Sequence, residues 1–570
     1  MIAFSAAERR RTLLVALLFV ALTALFAWPL SARPGDRVMS ASPDANLFMW
    51  TLAWDVHAFT HQPLDIFDAN IYHPLRRTLA YSENLTGSAI VAAPILWTTG
   101  NAVLAMNLVA LLSAALCGAG AYVLARQVGL APAAAIVSGL VFAFSPPRFL
   151  RLDQLHLATI QWVPFGLASL HAYLDRGRPL HLRLATAFFT LQALTSGHGA
   201  VFLALAMLAL VIFEIAASRS LRAPRSPWAI ARDFGITGSL LLAPALLSFV
   251  PYLIVQREVG LRRTLENWTV TSSSYLASPA HVHQWLLSFV PAARINETAD
   301  AYLFPGFLPI VLAACALTRA RRRETTFYAL LTLVSVWLTL GPPIGIWPLV
   351  YWLPGLNFIR VPSRFMLLAI LGLAVLAGFG VERLSEAMGE ICLRVFVPSW
   401  LRSSQWLSLI IAVLLVAEFA AFPLGVEPYR IEIPAIDRWL DTQPKPFVVA
   451  EVPLPIRPDL GTWERRHTAF MLHSTAHWQK TVHGYSGLRL PLHVALYDEL
   501  QRFPDEASLA SLARLGVTYV VVHAGWYGPG DRAELDARLA RFGDRLWLEH
   551  AEGEDRVYAI VSASTRTESH

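Results

Sequence analysis

Lysine is almost absent from this chain, cysteine is scarce, and charge of either sign is thin. Of 46 basic residues, only Lys445 and Lys480 are lysines. The rest are arginines, a bias read mainly as codon composition. They are scattered between apolar runs, which excludes a nucleic-acid-binding patch as the reason for the net charge of +6. The three cysteines, Cys117, Cys315 and Cys392, are far apart and form no CxxC pair. None falls in the C-terminal stretch, so neither a disulfide framework nor a zinc site is expected. Charged residues make up 15% of the chain, where a soluble domain carries about 25%. The deficit implies that much of the chain faces lipid.

What is present supports that reading. Hydrophobic residues are 55% of the 570, eighteen are Trp, and the mean hydropathy is +0.48. Indoles suit the membrane–water interface, where the ring stays apolar and the N–H stays wet. Arg9–Arg11 before an apolar run resemble a signal peptide. That run is roughly 20 residues and long enough to span, so an uncleaved first span is the better reading. Apolar runs of spanning length predict about eleven spans, near 12–31, 100–125, 131–147, 157–174, 180–196, 199–217, 233–255, 304–318, 326–341, 364–382 and 404–424. Residues 88–98 are apolar but short, and read as an interfacial or re-entrant piece.

Arginine placement predicts a cytoplasmic N-terminus. The most basic run, Arg319-Ala-Arg-Arg-Arg323, then falls inside. An odd span count puts the C-terminal part outside. The fold class expected is mainly α: a polytopic transmembrane bundle over 1–426 with an outer loop at 32–87, followed by a small soluble α/β domain over 427–570. In that tail, Phe447–Val452, Val517–His523 and Val557–Val561 read as strands. They alternate with helical stretches at 436–440, 509–515 and 532–541.

Four segments carry residues suited to chemistry. The first outer loop opens with Ser42-Pro-Asp-Ala-Asn-Leu-Phe-Met-Trp50, placing Asp44 just after the first span. An amphipathic helix bearing Leu47, Met49, Trp50 and Trp54 follows, and is expected along the membrane surface. A carboxylate there can deprotonate an acceptor hydroxyl, hold a divalent cation, or simply cap the helix. Further along, His73 and Glu83 are supporting or acceptor-binding candidates. The loop after the third span reads Ser145-Pro-Pro-Arg-Phe-Leu-Arg-Leu-Asp-Gln-Leu-His156. Arg148 and Arg151 break the positive-inside trend. Asp153 and His156, three apart, share a face if that stretch is helical and can bind a metal or position a phosphate. Arg257, Arg262, Arg263, Arg360 and Arg364 are further outer arginines, and guanidinium suits bidentate phosphate contacts. In the tail, His483-Gly-Tyr-Ser-Gly487 lacks the spacing of a nucleophile elbow and reads as a turn.

This layout resembles the GT-C glycosyltransferase superfamily: an acid in the first long outer loop (Asp44), a second acidic position in the next outer loop (Asp153), a multi-span core and a C-terminal outer domain. The strings Leu303-Phe-Pro-Gly306, Leu340-Gly-Pro-Pro343 and Arg360-Val-Pro-Ser-Arg-Phe365 also look like bacterial membrane proteins of this kind. The resemblance implies transfer of a sugar from a polyprenyl-phosphate donor to a glycan, lipid or protein acceptor, at the outer face of a bacterial inner membrane. It implies Asp44 as base, Arg148, Arg151, Arg360 and Arg364 as donor-phosphate ligands, and Asp153, His156, Glu83 and His73 in support. A divalent cation (Mg or Mn) held by Asp44, Asp153 and His156 stays open, because Asp44 has no adjacent second acid. A non-catalytic membrane partner, or a lipid-linked glycan transporter on the same scaffold, is the alternative. A membrane hydrolase is disfavoured for want of a nucleophile beside a base.

Overall fold

The computed structural model describes residues 6–217, 226–260, 270–290, 302–318, 322–341, 344–353, 356, 359, 361–394, 404–454, 460–488 and 490–561. The protein is mainly helical. In chain order come α1 (Ala6–Phe26), α2 (Pro43–His61), α3 (Thr86–Thr99), α4 (Ala102–Gln127), α5 (Pro132–Phe144), α6 (Pro146–Phe149), α7 (Leu155–Ala158) and α8 (Trp162–Arg176). Then follow α9 (Pro179–Thr195), α10 (Gly197–Ala217), α11 (Pro227–Val259), α12 (His281–Leu287), α13 (Phe307–Ala316), α14 (Arg323–Thr339), α15 (Trp347–Val350), α16 (Met366–Arg394) and α17 (Ser404–Phe419).

Four of these stretches, Ala102–Gln127, Gly197–Ala217, Pro227–Val259 and Pro362–Met388, are long and apolar enough to cross a membrane. Others that the sequence suggested as spans are shorter: α5 has 13 residues and α13 has 10. Leu208, Ile212 and Ile215 on α10 and Leu240, Leu246 and Leu247 on α11 are exposed. Apolar stripes of that size on helices are the mark of a membrane protein.

The bundle packs around α16. Every residue from 361 to 381 is buried, and a helix apolar all round belongs in the interior. Two glycines let neighbours close on it. A Cβ at Gly380 would lie 2.0 Å from the Leu312 carbonyl of α13, and one at Gly372 would lie 2.3 Å from Thr332 Oγ1 of α14. Small residues at such crossings allow backbone approach, and filling them costs about 1–3 kcal/mol.

The first long loop is not a surface appendage. Ser42 caps α2, accepting from the Ala45 N–H at 3.2 Å, with Pro43 in the first turn. The apolar residues predicted to lie on the membrane surface are instead enclosed by protein. Leu47, Met49, Trp50 and Trp54 are all buried, because α3, α4 and a C-terminal helix close over α2. Residues 88–98 form the body of a full helix, α3.

The C-terminal region contains α18 (Ala435–Asp441), α19 (Leu460–His473), α20 (Pro491–Leu500), α21 (Glu506–Arg514) and α22 (Pro529–Arg541). Its strands are β3 (Val448–Val452), β4 (Lys480–Thr481), β5 (Tyr519–His523), β6 (Leu546–Glu552) and β7 (Asp555–Ile560), ordered β4-β3-β5-β7-β6. β4 and β5 run parallel to β3; β7 and β6 add an antiparallel hairpin. The Val-rich runs of β3 and β5 are buried on both faces, as parallel strands are; the predicted strand at Val557–Val561 falls on β7, which is antiparallel and half-buried. Two seams tie this region to the first loop. β1 (Arg37–Val38) pairs antiparallel with β2 (Glu427–Pro428). Residues 70–73 also line the free edge of β4: Asn70 O accepts from Thr481 N, and Tyr72 and His73 donate to His483 O and Thr481 O, at 2.7–2.9 Å.

Candidate active site

Asp44 stands in the first turn of α2, and the capping role belongs to Ser42, not to Asp44. Its Oδ1 accepts from the Tyr485 hydroxyl at 2.8 Å. That tyrosine belongs to the His483–Gly487 turn, so the string set aside in the sequence as a plain turn delivers a hydroxyl to the candidate base. Nearby, Asn46 Nδ2 donates to Thr468 Oγ1 at 3.2 Å and Asn46 Oδ1 accepts from the Tyr429 hydroxyl at 2.6 Å. The C-terminal region therefore grips the start of α2 and fixes where Asp44 sits.

One turn beyond Asp44, the Phe48 ring lies 5.0 Å from the His156 ring. His156 in turn packs edge-on to His198, with centroids 5.2 Å apart. His198 is held on both sides. Nδ1 bonds Glu83 Oε1, and Nε2 meets Arg364 Nη1 at 3.0 Å. A guanidinium only donates, so Nε2 supplies the lone pair and the ring proton lies on Nδ1, towards Glu83. Glu83 Oε2 also accepts from the Gly197 N–H at 3.1 Å, at the start of α10, where a helix dipole favours an anion. Burial alone would push the Glu83 carboxyl up. The contact with His198, then the charges of His156 and Arg364, outweigh it and hold the carboxyl below its ordinary range.

This placement rests on a break between α9 and α10. Ser196 is extended (φ −161°, ψ 126°), and its Oγ donates to the His156 carbonyl at 2.5 Å. A Cβ at Gly199 would lie 2.2 Å from Gln192 Nε2. The Ser196-Gly-His-Gly199 string was the local signal for this residue, since polar and glycine residues between two apolar runs mark a helix end.

The remaining sequence candidates divide. Arg364, at the head of the buried α16, joins the cluster. Arg148 does not: its guanidinium is 0% exposed and donates to Ala143 O, Ala158 O and Cys117 Sγ at 3.0–3.1 Å. It pins the 143–158 loop rather than facing a ligand. Arg151, also buried, binds Pro147 O and Gln154 Oε1 within its own loop. Asp153 lies in the turn before α7 while His156 lies in α7, so the two share no helical face. His156 has Glu83 and His198 as its companions instead. His73 Nε2 faces the Leu515 carbonyl at 3.0 Å, which docks the loop onto the C-terminal region. Arg360 lies outside the described residues.

Glu83, His156 and His198 each offer a ligand atom within 4.8 Å of the others. This is a different set from the Asp44, Asp153 and His156 of the sequence. Two imidazoles and one carboxylate suit Mg poorly, since Mg takes oxygen ligands. The Arg364 guanidinium on His198 adds positive charge that opposes a dication and favours an anion.

No protein-family model and no curated protein matches the chain. Among solved structures the fold is similar to ArnT from Cupriavidus metallidurans in the apo state, at 14% identity over 98% of this chain and 99% of that one, with a TM-score of 0.49. ArnT bound to undecaprenyl phosphate gives the same identity and coverage and a TM-score of 0.47. The archaeal oligosaccharyltransferase AglB from Archaeoglobus fulgidus, in complex with an inhibitory peptide and a dolichol-phosphate, is 13% identical over 91% of this chain and 70% of that one, with a TM-score of 0.43. At these scores the chemistry has to be argued from the site itself.

Proposed function

We propose that the protein transfers a sugar from a polyprenyl-phosphate donor to a hydroxyl acceptor, with inversion, in the manner of GT-C enzymes. The observation that carries this reading is that Asp44 and Phe48 lie one turn apart on α2 and that Phe48, His156 and His198 follow in ring contact as far as Arg364. Transfer needs both a carboxylate and a cation. The acceptor oxygen bonds to the anomeric carbon as the bond from that carbon to the phosphate oxygen breaks. The acceptor proton goes to Asp44 Oδ2, while Oδ1 stays on Tyr485. The lipid phosphate leaves with an added negative charge, which the Arg364 guanidinium offsets. Charge stabilisation at the leaving group is commonly the largest single contribution to catalysis. No step is routed through a metal.

The test is Asp44→Asn, which keeps size and the Tyr485 hydrogen bond. With a radiolabelled polyprenyl-phosphate sugar, the transfer rate should fall about 10²–10⁴-fold while the melting temperature stays within a degree or two. A variant that transfers at the parent rate sinks the assignment.

The same reading takes about eleven spans, a cytoplasmic N-terminus, and the C-terminal region on the far side of a bacterial inner membrane. The arginine bias supports it. Reporter fusions at Arg323 and at Glu427 should give opposite-side signals; same-side signals would overturn the topology.

A further inference from the structure

α2 has a second working face. At ~100° per residue, Asp44, Phe48 and Asp55 fall on one side, while Ala53, His57 and Thr60 fall on the other. That other side lines an open cleft of about 730 Å³, closed by the α3–α4 junction and by the C-terminal region. The volume lies within the range of small-molecule sites.

The walls have a consistent chemistry. His61, His57 and Trp478 stack in series, with centroids 4.1 and 4.2 Å apart and planes 13° apart in each pair. Trp478 is held at φ 58°, a left-handed conformation that is strained for such a residue and clusters at functional sites. Thr60, Thr99 and Thr475 donate their hydroxyl protons to His57 O, Ile95 O and Leu472 O at 3.0, 2.7 and 2.6 Å. Thr99 Oγ1 also accepts from the Asn101 N–H at 3.2 Å and Thr60 Oγ1 lies 2.9 Å from His61 Nδ1, so Thr475 offers the cleft its acceptor lone pairs and the other two offer what these contacts leave. Charge is sparse. The Asp and Arg in the lining are Asp36 and Arg430, which face each other at 3.8 Å, with Asp36 also bound to Arg33. Burial first, then His61 and Lys445, push His57 down to about 4, so its ring is neutral at pH 7.

Arg430 is exposed and shares Asp36 with Arg33, so an anion finds one part-compensated cation at the edge of the cleft and none within it, and a hydrocarbon would cover hydroxyls. A pyranose matches: its C–H face stacks on the exposed Trp97 ring, since His57 is covered on both sides, and its hydroxyls donate to the free threonine lone pairs. At the rim, Trp97 is 63% exposed and continues into the exposed Ile90 and Val91 of the apolar α3. A ligand leaving by that rim passes onto a lipid-facing surface. We propose that this cleft is a second carbohydrate site, separate from the Asp44 centre, that holds the neutral sugar headgroup of a membrane glycolipid.

The experiment uses the full chain in phosphatidylcholine nanodiscs and saturation-transfer NMR on pyranose protons. The probes are maltose, lactose, N,N′-diacetylchitobiose and dodecyl maltoside. Saturation is expected for at least one disaccharide, with dodecyl maltoside bound at least ~10-fold more tightly than maltose. Ala53→Trp, which fills the cleft, and His57→Ala should each weaken binding at least ~10-fold. Asp44→Asn should leave it unchanged. Trp97→Ala sits on an exposed rim, so it should fold, and it should weaken dodecyl maltoside more than maltose. No saturation with any probe overturns the site, as does undiminished saturation in a folded Ala53→Trp. Loss in Asp44→Asn alone places the sugar at the catalytic centre and also overturns it. Equal affinity for maltose and dodecyl maltoside overturns the lipid-borne source.

Discussion

Two buried acid–histidine networks can be set side by side. In the first, Glu83 bonds His198, and His198 takes a hydrogen bond from Arg364. In the second, at the carboxyl ends of β3 and β5, His523 lies between Glu451 and Asp555 at 3.1 and 3.0 Å. Both put an imidazole against a carboxylate out of contact with water. They differ in what lies beyond the ring. The second network ends in another carboxylate and is closed: the imidazole is the cation and its neighbours neutralise it. The first ends in a guanidinium, so a permanent positive charge is held at the far side of a neutral ring, two aromatic contacts from Phe48. A closed network stabilises a fold. A network that keeps a cation at its edge is suited to receiving an anion.

Breaking the cation end should have the largest effect. Arg364→Ala leaves His198 without its donor and the wall without its charge. Truncating one partner of a buried charged hydrogen bond costs about 2–5 kcal/mol, so affinity for a polyprenyl phosphate should fall at least ~30-fold. Arg364→Lys should restore only part of it, since a point charge does not reproduce the guanidinium fork. Equilibrium binding of the lipid phosphate decides; unchanged affinity in both variants removes Arg364 from the site.

The closed network should answer to pH instead. Burial would lower His523, but its bonds to Asp555 and Glu451 raise it to about 9. Its contribution to stability is therefore full below about pH 6.5 and is lost as the pH rises towards 9. Glu451 is itself pushed up from 4.5 to about 7, by burial against the restraint of its His523 bond; it also lowers stability as the pH rises, but in the lower window between those two values. Thermal unfolding should become easier between pH 6.5 and 9, by a change on the order of 2–3 kcal/mol. His523→Gln should flatten that slope. A flat profile in the parent protein contradicts the closed-network description.

The smallest expected effect is none. If the cationic end serves an anion without help from a dication, chelation by EDTA should leave the transfer rate unchanged. A tenfold loss restored by Mg or Mn would give the Glu83–His156–His198 cluster to a metal.

The legibility of these features followed the range of the interactions. Local patterns were readable. The β-branched runs gave β3, β5 and β7, and the Ser42-Pro-Asp44 string gave the start of α2. Features set by distant partners were not. Arg148 and Arg364 look alike in sequence, each an arginine near prolines at the end of an apolar run. One turns inward onto loop carbonyls and the other joins His198, which depends on which helix ends meet. The lone signal for His198 was the glycine-rich break before it. The Tyr485–Asp44 bond spans 441 positions, and no local pattern encodes it. α2 looked like a surface helix because its apolar stripe is the same whether lipid or protein covers it.

The seam between residues 70–73 and β4 sets a timetable. Asn70, Tyr72 and His73 need Thr481 and His483 as partners, and those residues emerge from the ribosome about 400 positions later. At ~5–20 residues per second, the first long loop waits roughly 20–80 s with its backbone unmatched. During that interval the unmatched edge at residues 70–73, between Asp44 and Glu83 in the chain, is open to proteases and to mispairing. Any factor that shields it need act only until the final fifth of the chain arrives.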